Sequence, residues 1–283
     1  MVYKKGEFSY LIDHDEVIRD YQGEINNDQN TNIDLLSDIN LLEGNKNNAS
    51  GFIVHKFLKT NDFSFLVSQV YKYLSEAFEL DLYKDNITKL IQDIPEETFK
   101  EKMKSLYYGI PFQNLNFTKN DFETWASEKI CCLLKCDDLP AKGDGLYVGP
   151  AGPESIQIRI VRPNKPDYNP PHRDIYFDKL RNGINCFMPI HGVSNKSSLP
   201  IVEGSHLWRE NKTIRTNKFP VIDGRKFSVP AIFSHSDGSI LKMTRPKVLN
   251  GEVMFFSPYI IHGGGINLGK EVRISFEFRF LKK

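Results

Sequence analysis

The sequence has little that would suit it to secretion, to a membrane or to a polyanionic partner. Its 283 residues include four cysteines, Cys131, Cys132, Cys136 and Cys186, at none of the paired spacings of a disulfide framework or zinc knuckle. Three of them fall in one helical-looking run and read as small buried apolar residues. No uninterrupted apolar run approaches the length of a membrane span, and the amino terminus, Met1 to Glu7, lacks the apolar core of a signal peptide. Charge of one sign is missing as well. Lys and Arg number 37 against 36 Asp and Glu, which removes the electrostatic argument for nucleic acid or an anionic membrane. No internal repeat, GxGxxG or P-loop pattern is present. What remains is an ordinary globular protein of a reducing cytoplasm, long enough to bury a real core and partnered by a small molecule.

The chain changes texture twice. Residues 1–50 are polar and rich in Asn and Asp, and read as an N-terminal extension with a short strand at Phe8–Ile12. A strand is expected at Gly51–Leu58, opening the domain that runs to residue 283. From Asn61 the apolar period lengthens to three and four: Phe65, Leu66, Val70, Tyr73, Leu74 and Ala77 predict a helix. Further helical patches at Asn86–Asp93, after Pro95 and after Thr118 predict helical support over 61–136. Beyond residue 145, short apolar runs alternate with Gly, Pro and Asn. Strands are predicted at 145–148, 155–162, 183–190, 199–202, 227–229, 247–249, 251–256 and 272–280. The fold class is therefore α+β, with a jelly-roll core over 145–283 backed by helices.

Within the strand-rich half stands His172-Arg173-Asp174, preceded by Pro170-Pro171, which hold the backbone extended. On extended chain, side chains i and i+2 point the same way, so His172 and Asp174 can reach one ion. A distant His262 lies in Ile261-His262-Gly263-Gly264-Gly265. His-x-Asp with a remote His is the 2-His-1-carboxylate set of non-heme Fe(II) oxygenases, in which three ligands occupy one face of the metal and leave the other open. A second triplet, His235-Ser236-Asp237, competes for the role. Spacing favours the first: 87 residues lie between Asp174 and His262 (262 − 174 − 1), room for several strands, against 24 from Asp237 (262 − 237 − 1).

Eleven positions past His262 stands Arg273 (273 − 262), in a strand whose alternation puts Arg273, Ser275 and Glu277 on one face and Ile274, Phe276 and Phe278 on the other. An arginine pointing into a barrel needs a partner. A dicarboxylate would give it a bidentate one, and an acid such as Glu271 or Glu252 would give it a structural one. From Gly51 onward, and most clearly over 150–280, the chain resembles the Fe(II)/2-oxoglutarate-dependent dioxygenases, particularly the phytanoyl-CoA dioxygenase-like branch. The resemblance is carried by His172-x-Asp174, Val202-Glu203-Gly204-Ser205-His206, the His262–Asn267 segment and Arg273-x-Ser275. It departs from that pattern at Glu203, where such proteins often have Pro.

The resemblance implies a double-stranded β-helix with Fe(II) on His172, Asp174 and His262. Arg273 would hold the distal carboxylate of 2-oxoglutarate, with Ser275 beside it. It implies consumption of O2, release of succinate and CO2, and hydroxylation of a C–H bond in a small polar or anionic metabolite. Related enzymes use the preceding strand for substrate or co-substrate, which makes Gln157 and Arg159 candidates; Asn185 and Tyr176 join them as pocket residues. The excess of Arg159, Arg162, Lys165, Arg173, Lys179 and Arg181 around the triplet suits an anionic substrate, and the loop-rich stretch 210–237 suits a lid. The alternative is a cupin-like metal-binding protein without redox chemistry, in which Arg273 has no such task.

Overall fold

The computed structural model describes residues 3–26, 50–106, 109–115, 146–147 and 155–281, apart from 168, 178, 179, 182 and 218. In chain order, β1 (Tyr3–Ile12) and β2 (Asp15–Asn26) form a hairpin, and β3 (Phe52–Lys56) follows. Three helices come next: α1 (Thr60–Phe78), α2 (Ile87–Asp93) and α3 (Glu96–Ser105). Strands β4 (Ile110–Pro111), β5 (Leu146–Tyr147), β6 (Ser155–Val161) and β7 (Gly183–His191) lead to a run of short ones. These are β8 (Thr213–Thr216), β9 (Val221–Ile222), β10 (Arg225–Lys226), β11 (Ile232–His235) and β12 (Leu241–Met243). The chain closes with β13 (Glu252–Phe256) and β14 (Arg273–Leu281).

Among the described residues the strands make two seven-stranded sheets. The helix-backed sheet has the order β3-β13-β7-β14-β6-β4, with β5 on β14. Its period-two alternation divides the side chains cleanly. Ile156, Ile158, Ile160, Ile184, Cys186, Met188, Ile274, Phe276 and Phe278 face the helices and join Leu66, Val70, Leu74 and Ile91 in one core. Phe187, Met254 and Phe256 face the other way, into a smaller cluster with Leu199, Ile201 and Ile260. The helix α1 was expected to present Phe65 to the core along with Tyr73, which does pack against it. Instead Phe63, Leu66, Val70, Tyr71, Leu74 and Phe78 are buried and Phe65 is exposed, a stripe rotated slightly around the axis. The predicted helix after Thr118, with Cys131, Cys132 and Cys136, lies outside the described residues, as does Lys179.

The other sheet has the order β10-β9-β2-β1-β12, with β8 on β2 and β11 on β8. Here the structure departs from the reading of 1–50 as a polar extension. Residues 3–26 are two long paired strands, and β1 also pairs in parallel with β12. Phe8, Tyr10, Ile12, Val17 and Tyr21 are buried with Ile222, Phe233, Leu241 and Met243. On the inner face apolar side chains recur at alternate positions, interrupted by buried Arg19, while the outer face mixes charged residues with Ser9, Leu11 and the exposed Ile18, so average composition hides the pattern. The turn is made by Asp13 in a left-handed conformation (φ 56°), which Asp tolerates better than most residues.

Two further expectations are corrected. The stretch 210–237 contributes β8, β9, β10 and β11 to a sheet instead of a loop-rich lid, and Glu210 at its start is buried. The strands predicted at 199–202, 227–229 and 247–249 do not form; Ile201 makes only isolated bridges, to Thr244 and His262. Each lies at or beside a proline (Pro200, Pro230, Pro246), which has no N–H to give a ladder.

The hairpin reaches the centre of the molecule through one side chain: Tyr10 Oη donates to the carbonyl of Gly264 at 2.6 Å. Tyr10→Phe should leave that buried acceptor short of a partner and cost about 1–3 kcal/mol, read as a lower urea midpoint at unchanged m-value. An unchanged midpoint would mean that the contact contributes nothing.

Candidate metal centre

His172 and His262 are brought together by backbone before any side chain is considered. The N–H of His172 donates to the carbonyl of His262 (2.9 Å) and the N–H of His262 returns the bond to His172 (3.0 Å). This is one antiparallel pair with no regular strand on either side. Arg173 is extended (φ −115°, ψ 142°), so His172 and Asp174 project to one side and Arg173 to the other. Arg173 is fully buried there, donating to Glu210, to the carbonyl of Ser205 (2.9 Å) and to that of Trp208 (3.1 Å). The buried turn after His262 needs glycine. Gly263 and Gly264 have φ 92° and 72°, and a Cβ on Gly264 would lie 2.7 Å from Pro171 and 2.8 Å from Tyr10 Oη.

The three side chains converge. Ligand atoms of His172, Asp174 and His262 all lie within 4.8 Å of one another, and all three residues are buried. Asp174 Oδ1 is 3.3 Å from His172 Nε2 and 3.8 Å from His262 Nε2. Each histidine spends its other nitrogen on a carbonyl: His172 Nδ1 on Pro170 (2.8 Å), His262 Nδ1 on Ile260 (3.0 Å). A carbonyl accepts only, so each Nδ1 carries a proton and Nε2 is the atom that faces the carboxylate. Arg279, on β14, donates to Asp174 Oδ2 from Nε (2.8 Å) and lies 2.7 Å from it through Nη2. That leaves Oδ1 directed at the histidines.

Charge follows the same arrangement. Burial works to raise the Asp174 pKa, yet the Arg279 charge and the neighbouring His172 and His262 rings together hold the carboxyl well below its ordinary value. Burial, followed by the His172 ring, pushes His262 down to about 4, only partly opposed by Asp174. A divalent ion would take the Asp174 carboxylate and the Nε2 atoms of the two rings, whose Nδ1 atoms are already committed to carbonyls. The donor set of two nitrogens and one oxygen, buried and open on one side, fits an iron-type ion better than calcium or magnesium.

The cavity beside the cluster is lined by both histidines and by Arg159, Asp167, Asn169, Asn185, Leu199, Phe256, Glu277 and Arg279. Of the residues singled out from the sequence, Arg159 and Asn185 are thus at the cluster. Gln157 shares Arg159's face of β6 but does not line the cavity. Tyr176 does not either: its hydroxyl donates to Glu210 (3.0 Å) and its ring packs with the hairpin core. The second triplet stays apart, with Asp237 exposed and bonded to Ser239 and the His235 ring packed at a tilt against Trp208. Arg273 is buried, but its partner is Asp167 at 2.7 Å, not Glu271 or Glu252. Nη1 leans on the carbonyl of Ser197 at 3.3 Å. The basic surroundings are also matched: Arg159 with Glu277 (3.0 Å), Arg162 with Glu96, Arg173 with Glu210. Counting charges in sequence therefore overstated the positive field. Sequence reading missed Arg279, although the alternation that placed Arg273, Ser275 and Glu277 on one face continues to it. Asp167, in a turn after β6, gave no signal.

No protein-family model matches the chain, and no curated protein matches its sequence. Solved structures that overlap it include AviO1 from Streptomyces viridochromogenes Tue57, at 13% identity over 84% of this chain and 93% of that one, with a TM-score of 0.46. The non-heme alpha ketoglutarate dependent carbocyclase SnoK from nogalamycin biosynthesis overlaps at 13% identity, 83% and 80% coverage and a TM-score of 0.44. The epimerase SnoN, solved with Fe3+, alpha ketoglutarate and nogalamycin RO, does so at 14%, 84% and 82%, and 0.44. At identities and TM-scores this low the overlaps transfer no chemistry to this chain. The fold and site by themselves define a mostly-sheet protein of two sheets, one backed by helices, with a buried 2-His-1-carboxylate cluster. Among the described residues, no helix is long and apolar enough to cross a membrane.

An unfolded imidazole takes its proton near 6.5, whereas that of His262 in the fold waits until about 4. Between those values the unfolded chain binds more protons, so metal-free protein should lose stability as pH falls through that window. His191 and His206 are shifted in the same direction. Urea midpoints across the window should therefore fall with pH, less steeply in His262→Gln; equal slopes would reject the assignment to His262.

Proposed function

We propose that the protein is an Fe(II)- and 2-oxoglutarate-dependent oxygenase with a double-stranded β-helix core, of the phytanoyl-CoA dioxygenase-like kind, hydroxylating a small polar metabolite. The observation that carries this reading is the buried convergence of His172, Asp174 and His262 with both Nδ1 atoms committed to carbonyls. When bound, iron with a 2-oxo acid and O2 supplies the oxidising power that converts a C–H bond to an alcohol, with succinate and CO2 released.

The chain's own part is positioning. His172, Asp174 and His262 would hold the ion, and Arg279, by occupying Oδ2 of Asp174, leaves Oδ1 for it. Arg273 and Ser275 are the candidates for the far carboxylate of the 2-oxo acid. In support, Arg273 Nε and Ser275 Oγ are buried polar atoms without a protein partner, two residues apart on one face of β14. Asn185 Nδ2 is likewise buried and unpartnered, at the cavity wall, and is a donor for co-substrate or substrate. Phe256 and Leu199 supply apolar wall that excludes water from the same space. Matched charges around the cavity argue for a polar substrate over a strongly anionic one. A cupin-like metal protein without redox chemistry is the second reading, favoured by one fact: Arg273 already has a structural partner in Asp167.

Anaerobic titration with Fe(II) and 2-oxoglutarate separates the two. A weak visible charge-transfer band that needs both components supports the oxygenase; iron binding without the band moves the non-redox reading ahead. Asp174→Ala should abolish turnover and weaken iron binding, and His235→Ala should change neither. Full turnover in Asp174→Ala would remove the proposed ligand set. Arg279→Gln should lower iron affinity by roughly 10–100-fold, the usual cost of losing a group that orients a ligand. Unaltered affinity there would reduce Arg279 to a structural ion pair.

A further inference from the structure

Three arginines near the inner face of the helix-backed sheet each hold a carboxylate: Arg159 with Glu277, Arg279 with Asp174 and Arg273 with Asp167. The third pair differs from the others in what it leaves unfilled. Arg273 and Asp167 are 2% and 6% exposed. Asp167 engages Nη2, and the contact of Nη1 with the Ser197 carbonyl is long at 3.3 Å. Arg273 Nε and the Ser275 hydroxyl have no partner in the protein. A guanidinium with one firm contact and one long one, beside an idle Nε–H and an idle hydroxyl, is a carboxylate cradle only partly filled.

Asp167 is itself held in place. Its N–H donates to the carbonyl of Gly265 (2.6 Å), and the adjoining segment is laced to the same turn by Asn164 N–H to Asn267 O and Asn267 N–H to Lys165 O. That turn begins at His262. Asp167 lines the cavity that both histidines line, whereas Arg273, bonded to it, does not. A carboxylate arriving from the cavity meets Asp167 before it meets the guanidinium.

We propose that Asp167 is an internal occupant of a carboxylate site, holding Arg273 in the ligand-free protein, and that a dicarboxylic 2-oxo acid must displace it to bind. This rests on the oxygenase reading above. The pair keeps a fully buried arginine compensated when no ligand is present, since an unpaired buried charge is strongly unfavourable. Its consequence is that the distal carboxylate of 2-oxoglutarate exchanges one carboxylate for another on Arg273. It therefore adds little affinity over a 2-oxo acid that lacks that group.

Calorimetric titration of the Mn(II)-loaded protein tests this without turnover, comparing 2-oxoglutarate with 2-oxobutyrate, which has no distal carboxylate. Asp167→Asn should bind 2-oxoglutarate roughly tenfold or more tighter than wild type, as expected for freeing a charge-assisted donor, and 2-oxobutyrate within about twofold of wild type. The proposal is overturned if the variant's 2-oxoglutarate affinity is unchanged or lower, or if both acids shift together. Should Asp167→Asn fail to fold, the wild type decides alone. A preference for 2-oxoglutarate over 2-oxobutyrate below about tenfold supports the internal occupant, and a larger one overturns it. If Mn(II) binds but neither acid does, in wild type or variant, the 2-oxo acid reading itself fails and takes this inference with it.

Discussion

Two backbone hydrogen bonds, exchanged between His172 and His262, are the constraint on which the site depends. They join segments far apart in sequence without a regular strand around them, so neighbouring contacts must hold the register. Asp174 N–H to Pro258 O, Val202 N–H to Ile261 O and Gly264 N–H to Asn169 O supply that support. Backbone placed in this way leaves the imidazoles little freedom. Their Nδ1 atoms are fixed by carbonyls two residues upstream in each case, so ring orientation follows directly from chain direction.

Around this pairing, charge is buried in matched units. Arg279 offsets Asp174, Arg273 is met by Asp167, and Arg173 is tied to Glu210, which also receives Arg215 and Tyr176. Burying so many ions is tolerable because each has an opposite charge and further donors or acceptors nearby. The same matching gives the site direction. Arg173, on the far side of the extended chain from His172 and Asp174, anchors the segment leading into β8, while Arg279 anchors the carboxylate from β14. The hairpin β1–β2 closes the arrangement from outside through Tyr10 and Gly264.

Much of this was legible from residue pattern, and the exceptions share a cause. The i, i+2 rule put His172 and Asp174 together, spacing chose that triplet over His235-Ser236-Asp237 as the partner of His262, and alternation separated the helix-facing Ile274, Phe276 and Phe278 of β14 from Arg273, Ser275 and Glu277. Those inferences use local geometry, which sequence carries directly. The hairpin at residues 3–26 was hidden because a mostly polar outer face dilutes the apolar inner one. Tyr176 was misjudged because a side chain next to a ligand in sequence turned instead towards Glu210. The lone strands beside Pro200, Pro230 and Pro246 were overread because apolar content was weighed without the missing N–H groups.

The sequence by itself determined which residues alternate and which three side chains have the chemistry to share an ion. Local periodicity and residue type suffice for that. Only the tertiary structure decided what each charge is paired with: Asp167 rather than Glu271 or Glu252 for Arg273, and Arg279 for Asp174. An ion pair forms between whichever groups the fold brings within a few ångströms, and separation along the chain gives no measure of that distance. The balance of charge inside the cavity is therefore a property of the folded protein and not of the list of its residues.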